Sequence, residues 1–342
     1  MPEQDTMGQT VKQSEHLDNT TLMHLAQAAV MRYPANLQGQ LRLLCQSENA
    51  TYQLSAGAQR YALRLHRGDY HDRQTIESEL LWLDALRDSG FQVPQARRDD
   101  EGERVLVLPL ANGEERYAVL FDWIEGDMPT ADMDPRAFRQ LGAITARLHQ
   151  HARQWQRPPA FKRIVWDHPS MVGAQGHWGD WRCLVGLDSS AAAIIEQAQA
   201  NVAADLAAFG QQPAHYGLIH ADLRLTNLLL HKGETQVIDF DDCGLGWYLH
   251  DLAAAISFVE HHPNAPAWVD YWLQGYEQVA HISDAEMARV PSLLIQRRIQ
   301  LSAWVASHAQ TETALQLREH WVPDTVRLCR AYLEGSPRPI GA

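Results

Sequence analysis

One stretch constrains this chain more than any other: His220-Ala-Asp-Leu-Arg-Leu-Thr-Asn227, followed by Val237-Ile-Asp-Phe-Asp-Asp242. Asp239 stands twelve residues after Asn227. Between them, Leu228-Leu229-Leu230, the turn His231-Lys-Gly-Glu234 and Thr235-Gln-Val-Ile238 read as a short hairpin, because two apolar runs flank a glycine-containing turn. A hairpin of that length returns Asp239 to the side on which Asn227 sits. Moving a phosphoryl group onto an alcohol needs one carboxylate to orient the hydroxyl and accept its proton, and oxygen ligands for the magnesium that bridges the phosphates. Asp222 fits the first role, and Asn227 and Asp239 fit the second. His, Asp and Asn before an apolar strand also make ordinary turns and caps, and it is their joint spacing that carries the chemical reading.

On these residues the chain resembles the aminoglycoside phosphotransferase and choline kinase-like group of small-molecule kinases, relatives of the protein kinases. The resemblance runs from roughly residue 20 to residue 335, with its sharp motifs in 220 to 251. It implies an α+β, two-lobed protein kinase-like fold: an N-lobe antiparallel sheet with one helix, and a mostly helical C-lobe, with ATP and Mg2+ bound between the lobes. It also implies that Arg224 takes the place of a Lys that touches the transferred phosphate, a role a guanidinium fork can serve. Asp251 resembles the family's Asp that hydrogen-bonds the catalytic loop from behind. The implied division is a polar tail over 1–20, an N-lobe over 21–121, a hinge over 122–127 and a C-lobe over 128–342.

Composition narrows the partners. The chain has 342 residues, 45% hydrophobic and 21% charged, which is globular and long enough for one large or two modest domains, each with its own core. A formal net charge of −13 argues against nucleic-acid or anionic-membrane binding, both of which use basic patches. The first twenty residues show no signal peptide, and the longest largely apolar run, Leu252 to Val259, is too short to span a membrane, so a soluble cytoplasmic protein is expected. Four scattered cysteines suggest free thiols. There are only three lysines, Lys12, Lys162 and Lys232, and none falls where kinases place the Lys of the third N-lobe strand.

In that strand, Arg60 to His66 alternates with a period of two. Tyr61-Ala-Leu-Arg64 resembles the V-A-I-K strand of kinases, with Ala62 over the adenine and Arg64 replacing the Lys. The preceding Ser47-Glu-Asn-Ala50 lies where a Gly-rich loop would be, and Ser47 and Asn49 are its candidate phosphate-contacting residues. Asp72 can cap a helix to about Asp88 whose buried face is Ile76, Leu80, Leu83 and Leu86. Glu79, at the edge of that face, is the candidate partner of Arg64. Val105 to Leu108 and Tyr117 to Phe121 read as strands, and the resemblance implies that Asp122, Trp123 and Ile124 are the hinge backbone that meets the adenine edge. A helix is expected from Pro135 to His149, an irregular stretch over 152–185, an apolar helix from Leu252 to Val259, and another from Leu293 to His308 carrying Arg297-Arg298. His149 and His151, like His261 and His262, lack a third ligand at metal spacing and read as ordinary polar histidines.

Only eleven residues separate Asp239 from Asp251, with no A-P-E element, which favours a small alcohol acceptor over a protein. The local texture resembles bacterial homoserine kinase-like sequences, so homoserine or another amino alcohol is the expected acceptor. Two other readings stay open on the sequence. One is a stress-response-type protein Ser/Thr kinase; the other is a nucleotide-binding pseudokinase module, marked by the missing lysine.

Overall fold

The computed structural model describes residues 17–46, 48–129 and 135–341. They fall into two compact units, one drawn from Met1–Ile76 and Ala96–Trp123 and the other from Glu77–Gln95 and Ile124–Ala342.

In the first unit, helix α1 (Asn19–Val30) is followed by strands β1 (Gln40–Gln46), β2 (Ala50–Ala56) and β3 (Gln59–Leu65). The first turn of α2 (Arg73–Asp88) comes next, then β4 (Leu106–Pro109) and β5 (Glu115–Asp122). The strands form an antiparallel sheet in the order β1-β2-β3-β5-β4. Tyr52, Leu54, Tyr61, Leu63 and Leu65 alternate onto the face that packs with Leu25, Ala26, Ala29 and Val30 of α1. The α1 helix, absent from the sequence reading, begins where the Asp18 carboxylate accepts the Thr21 N–H at 2.7 Å. Asp72 caps α2 as expected, accepting from the Thr75 N–H at 2.8 Å.

The second unit begins within α2. Its elements are α3 (Pro135–Gln154), β6 (Ile164–Trp166), α4 (His168–Val172), α5 (Ser189–Phe209), β7 (Tyr216–Ile219), β8 (Leu228–His231), β9 (Glu234–Val237), β10 (Gly244–Trp247), α6 (His250–Ala255), α7 (Ala265–Glu277), α8 (Asp284–Met287), α9 (Val290–Ser307) and α10 (Glu312–Leu333). A small mixed sheet, β6-β10-β7, and the β8-β9 hairpin carry the loops between them. Two expectations are corrected. The apolar run after Leu252 is helical only to Ala255, and Phe258 just beyond it has φ 71°, which ends any helix there. The stretch 152–185 is partly ordered, since β6 pairs in parallel with the distant β10, a contact no local pattern encodes.

α9 is buried on nearly every side, so each polar group inside it needs a partner. Arg298 donates to Glu260 at 2.9 Å and to Thr325 at 2.8 Å, and its guanidinium stacks 3.5 Å from the Trp321 ring centroid. Gln296 Oε1 accepts from His168 Nδ1 at 2.9 Å, and Ser292 donates to Asp205 at 2.6 Å. α3 and α7 cross at two glycines. A Cβ on Gly142 would stand 2.0 Å from the Trp272 carbonyl oxygen, and one on Gly275 would stand 1.8 Å from that of Arg139.

Two stability predictions follow from this packing. Gly275→Ala forces backbone against backbone and should lower the unfolding free energy by about 3 kcal/mol or more, read as a shift in urea midpoint; an unchanged midpoint would contradict the crossing. Burial also lowers the pKa of His149, His220 and His250 from 6.5, the last to about 3, with the nearby Arg297 charge adding to the effect. Between pH 6.5 and those lowered values the unfolded chain binds more protons than the folded one, so stability is full above about pH 6.5 and falls as pH drops. Thermal unfolding from pH 7.5 to 5 should show that decline, and His250→Leu should flatten it.

Candidate active site

The loop over residues 220–227 follows β7. Ala221 has φ 68°, an uncommon conformation for a residue with a side chain. It is held there by Asp251, whose carboxylate accepts the Ala221 N–H at 2.7 Å and the His220 N–H at 3.1 Å. Asp251 is fully buried; burial alone would raise its pKa, but the hydrogen bond from His149 leads the interactions that hold it below the usual aspartate value. His149 makes that bond through Nε2 at 2.9 Å and meets the Tyr276 hydroxyl through Nδ1 at 3.0 Å. Since a carboxylate only accepts, Nε2 carries the proton, and the neutral ring takes the Tyr276 O–H at Nδ1. His220 is arranged the same way. Its Nε2 donates to the Ile238 carbonyl at 3.2 Å and its Nδ1 accepts the Asp222 N–H at 3.4 Å.

Asp222, half-buried, is surrounded by donors. Its Oδ1 accepts from Arg297 Nη2 at 2.8 Å, and its Oδ2 from Asn227 Nδ2 at 3.1 Å and Arg224 Nε at 3.3 Å. Asn227 Nδ2 also donates to the Asp222 carbonyl at 2.8 Å. These two bonds fix the amide so that Oδ1 is the atom left for a cation. Arg224 lies with its guanidinium carbon 5.6 Å from the Phe258 ring centroid.

The hairpin does what its length predicts. Lys232 (φ 50°) and Gly233 (φ 83°) form its two-residue turn, both in the left-handed region that tight hairpins require. At its base the Ile238 N–H donates to the Asn227 carbonyl at 3.0 Å. With Ile238 tied to both Asn227 and His220, the next residue, Asp239, is delivered beside the loop at φ 65°. Phe240 packs between His220 (4.6 Å between centroids) and Trp82 of α2 (5.4 Å). Arg163 binds the carbonyls of Asp241 and Cys243, and Trp166 binds that of Asp242 at 2.7 Å. The amide oxygen of Asn227 and the carboxylate of Asp239 are hard donors of the kind magnesium takes, so the residues present fit that ion.

The other candidates are placed as follows. Glu79 is 1% exposed rather than at the edge of its helix face, one turn before Trp82. In the first unit, Arg64 is buried on β3, opposite Thr51 and Val119, with its guanidinium 5.0 Å from the Phe121 ring centroid. Ala62 lies opposite Gln53 and Phe121. Asn49 accepts the Arg67 N–H through Oδ1 at 3.0 Å. Asp122 ends β5 and pairs with Arg97 at 2.5 Å, and Arg60 stacks on Trp123 at 4.9 Å. Ile124 opens the second unit. Ser47 lies outside the described residues. Arg297 and His149 were not among the expected site residues, because both reach the loop from helices distant in sequence.

The chain is 24% identical over 294 residues to the amicoumacin kinase of Bacillus subtilis, covering 82% of this chain and 84% of that one. It is 28% identical over 247 residues to the homoserine kinase of Gluconobacter oxydans, covering 68% and 73%. Among solved structures, a microcompartment-associated aminopropanol kinase superposes with a TM-score of 0.85 at 37% identity, over 92% of this chain and 99% of that one. An amicoumacin kinase in complex with AMP-PNP, Ca2+ and Ami superposes with a TM-score of 0.73 at 22% identity, over 91% and 93%. Among the described residues no helix is long and apolar enough to cross a membrane. The model of the phosphotransferase enzyme family matches residues 42–290, and the chain belongs to that family as an ATP-dependent phosphotransferase acting on an alcohol.

Proposed function

We propose that the acceptor is a small amino alcohol and that Asp222 orients its hydroxyl toward the γ-phosphoryl group of ATP. The observation that carries this reading is the convergence on one loop of Asp222, Asn227 and the hairpin-delivered Asp239. Its support for an amino alcohol is the neighbouring aminopropanol kinase, together with the homoserine kinase among the relatives. Asn227 and Asp239 would hold magnesium, which would supply positive charge against that developing as the phosphoryl group moves. Arg224 meets the phosphoryl oxygens, and Asp222 takes the hydroxyl proton. Catalysis by these residues is mainly placement and electrostatics. Arg64 binds the nucleotide phosphates in place of the usual lysine, with Ala62 and the backbone of Asp122 to Ile124 meeting the adenine.

A protein acceptor fits poorly. The segment from Asp239 to Asp251 is taken up by main-chain bonds to Arg163 and Trp166 and by β10, which leaves no span to lay out a peptide.

Magnesium-dependent ADP release should be stimulated by aminopropanol, ethanolamine or homoserine, and Asp222→Asn should lower that rate by about 10²-fold or more. Stimulation by a protein substrate alone, or a fully active Asp222→Asn, would refute the proposal. Arg64→Ala should weaken ATP binding by about tenfold or more, as for loss of a charge-assisted contact; calorimetry showing unchanged affinity would remove Arg64 from the phosphate site.

A further inference from the structure

The geometry points to Arg297 as a positioning residue for the phosphoryl transfer: a buried guanidinium that clamps one oxygen of the Asp222 carboxylate and leaves the other to the acceptor hydroxyl. This inference rests on the reading of Asp222 as the group that meets the acceptor.

Arg297 is 1% exposed, and each of its three nitrogens has its own partner. Nε donates to Ser257 Oγ at 2.9 Å, Nη1 to Gln300 Oε1 at 3.1 Å and Nη2 to Asp222 Oδ1 at 2.8 Å. The Trp178 ring covers the guanidinium face, with 4.9 Å from the central carbon to the ring centroid. Two rotations of the side chain are therefore closed off: Ser257 and Gln300 fix the fork in its plane, and Trp178 fixes the plane itself. Such a fork is rigid where an ammonium on a flexible stem is not.

The two oxygens of Asp222 are thereby made unequal. Oδ1 is held by the shortest of the three contacts and by a donor that cannot move. Oδ2 has two longer contacts, at 3.1 and 3.3 Å, from side chains assigned to the metal and to the phosphate. Oδ2 is the oxygen that can exchange partners and receive the hydroxyl proton. The clamp also offsets a charge problem. Asp222 must approach the polyanionic end of ATP while ionised, and a buried cation on its far oxygen reduces that repulsion without competing for the phosphate. Arg298, the next residue, points away to Glu260 and Thr325, so the two arginines divide the work: one faces the loop and the other secures the helix.

The test is a double-mutant cycle on Asp222→Asn and Arg297→Met with aminopropanol as acceptor. It is read in single turnover so that slow variants register, with ATP hydrolysis to water followed in parallel. Arg297→Met should lower the chemical rate by about 30-fold or more while the affinity for ATP changes by less than about threefold. Arg297→Lys should recover part of the loss. Because Arg297 acts through Asp222, the double variant should be no slower than Asp222→Asn alone. Losses that multiply, or a Met variant within about threefold of the parent rate, would overturn the inference. Should Arg297→Met fail to fold, Ser257→Ala, which removes only the Nε partner, takes its place in the cycle with the same pattern expected at smaller amplitude. The outcomes separate the two readings. An active Asp222→Asn removes the role of Asp222, whereas an inactive Asp222→Asn beside an active Arg297→Met removes only that of Arg297.

Discussion

The carboxylate of Asp251 is the constraint on which the site depends. A buried ion costs several kcal/mol to desolvate, and only good hydrogen bonds repay it. Here the repayment comes from two consecutive main-chain N–H groups of the catalytic loop and from a neutral histidine fixed by a tyrosine hydroxyl. The loop cannot relax to a more common backbone conformation without stranding that charge. The left-handed Ala221 is thus stabilised by the same bonds that set the direction of Asp222.

The second half of the site is placed by a different device. A hairpin with a two-residue turn has a fixed return, so the position of Asp239 relative to Asn227 follows from the count of residues between them. Phe240, wedged between His220 and Trp82, then links the strand end to the loop and to α2 by packing. The arrangement combines one ionic anchor at the loop, one geometric return to Asn227 and one aromatic wedge beside Asp239.

This explains which parts were legible in the sequence. Asp222, Asn227 and Asp239 are close in the chain, and their relation is set by local geometry, so spacing was enough. The strands β3, β4 and β5 and the capped start of α2 were legible for the same reason: alternation, turn residues and a capping Asp are local signals. The Glu79 burial was underestimated because an ideal helical wheel shows one face, while α2 is covered on more than one side. The α1 helix, the parallel pairing of β6 with β10 and the reach of His149 and Arg297 to the loop depend on contacts between distant segments. An Arg-Arg pair in an otherwise apolar helix was visible as an oddity. The direction in which each guanidinium points depends on the rotation of α9, which periodicity cannot fix in a helix buried on all sides.

The use of arginine on β3 has a practical consequence. Nucleotide acyl phosphates, widely suited to marking kinases, work by acylating an amine that lies beside the bound phosphates. A guanidinium stays charged at neutral pH and does not react that way. The described residues of the first unit hold no lysine at all, so its sheet offers such a reagent nothing to label. A chemical survey that counts kinases by a reactive amine on this strand would pass over an enzyme in which an arginine holds the phosphates there.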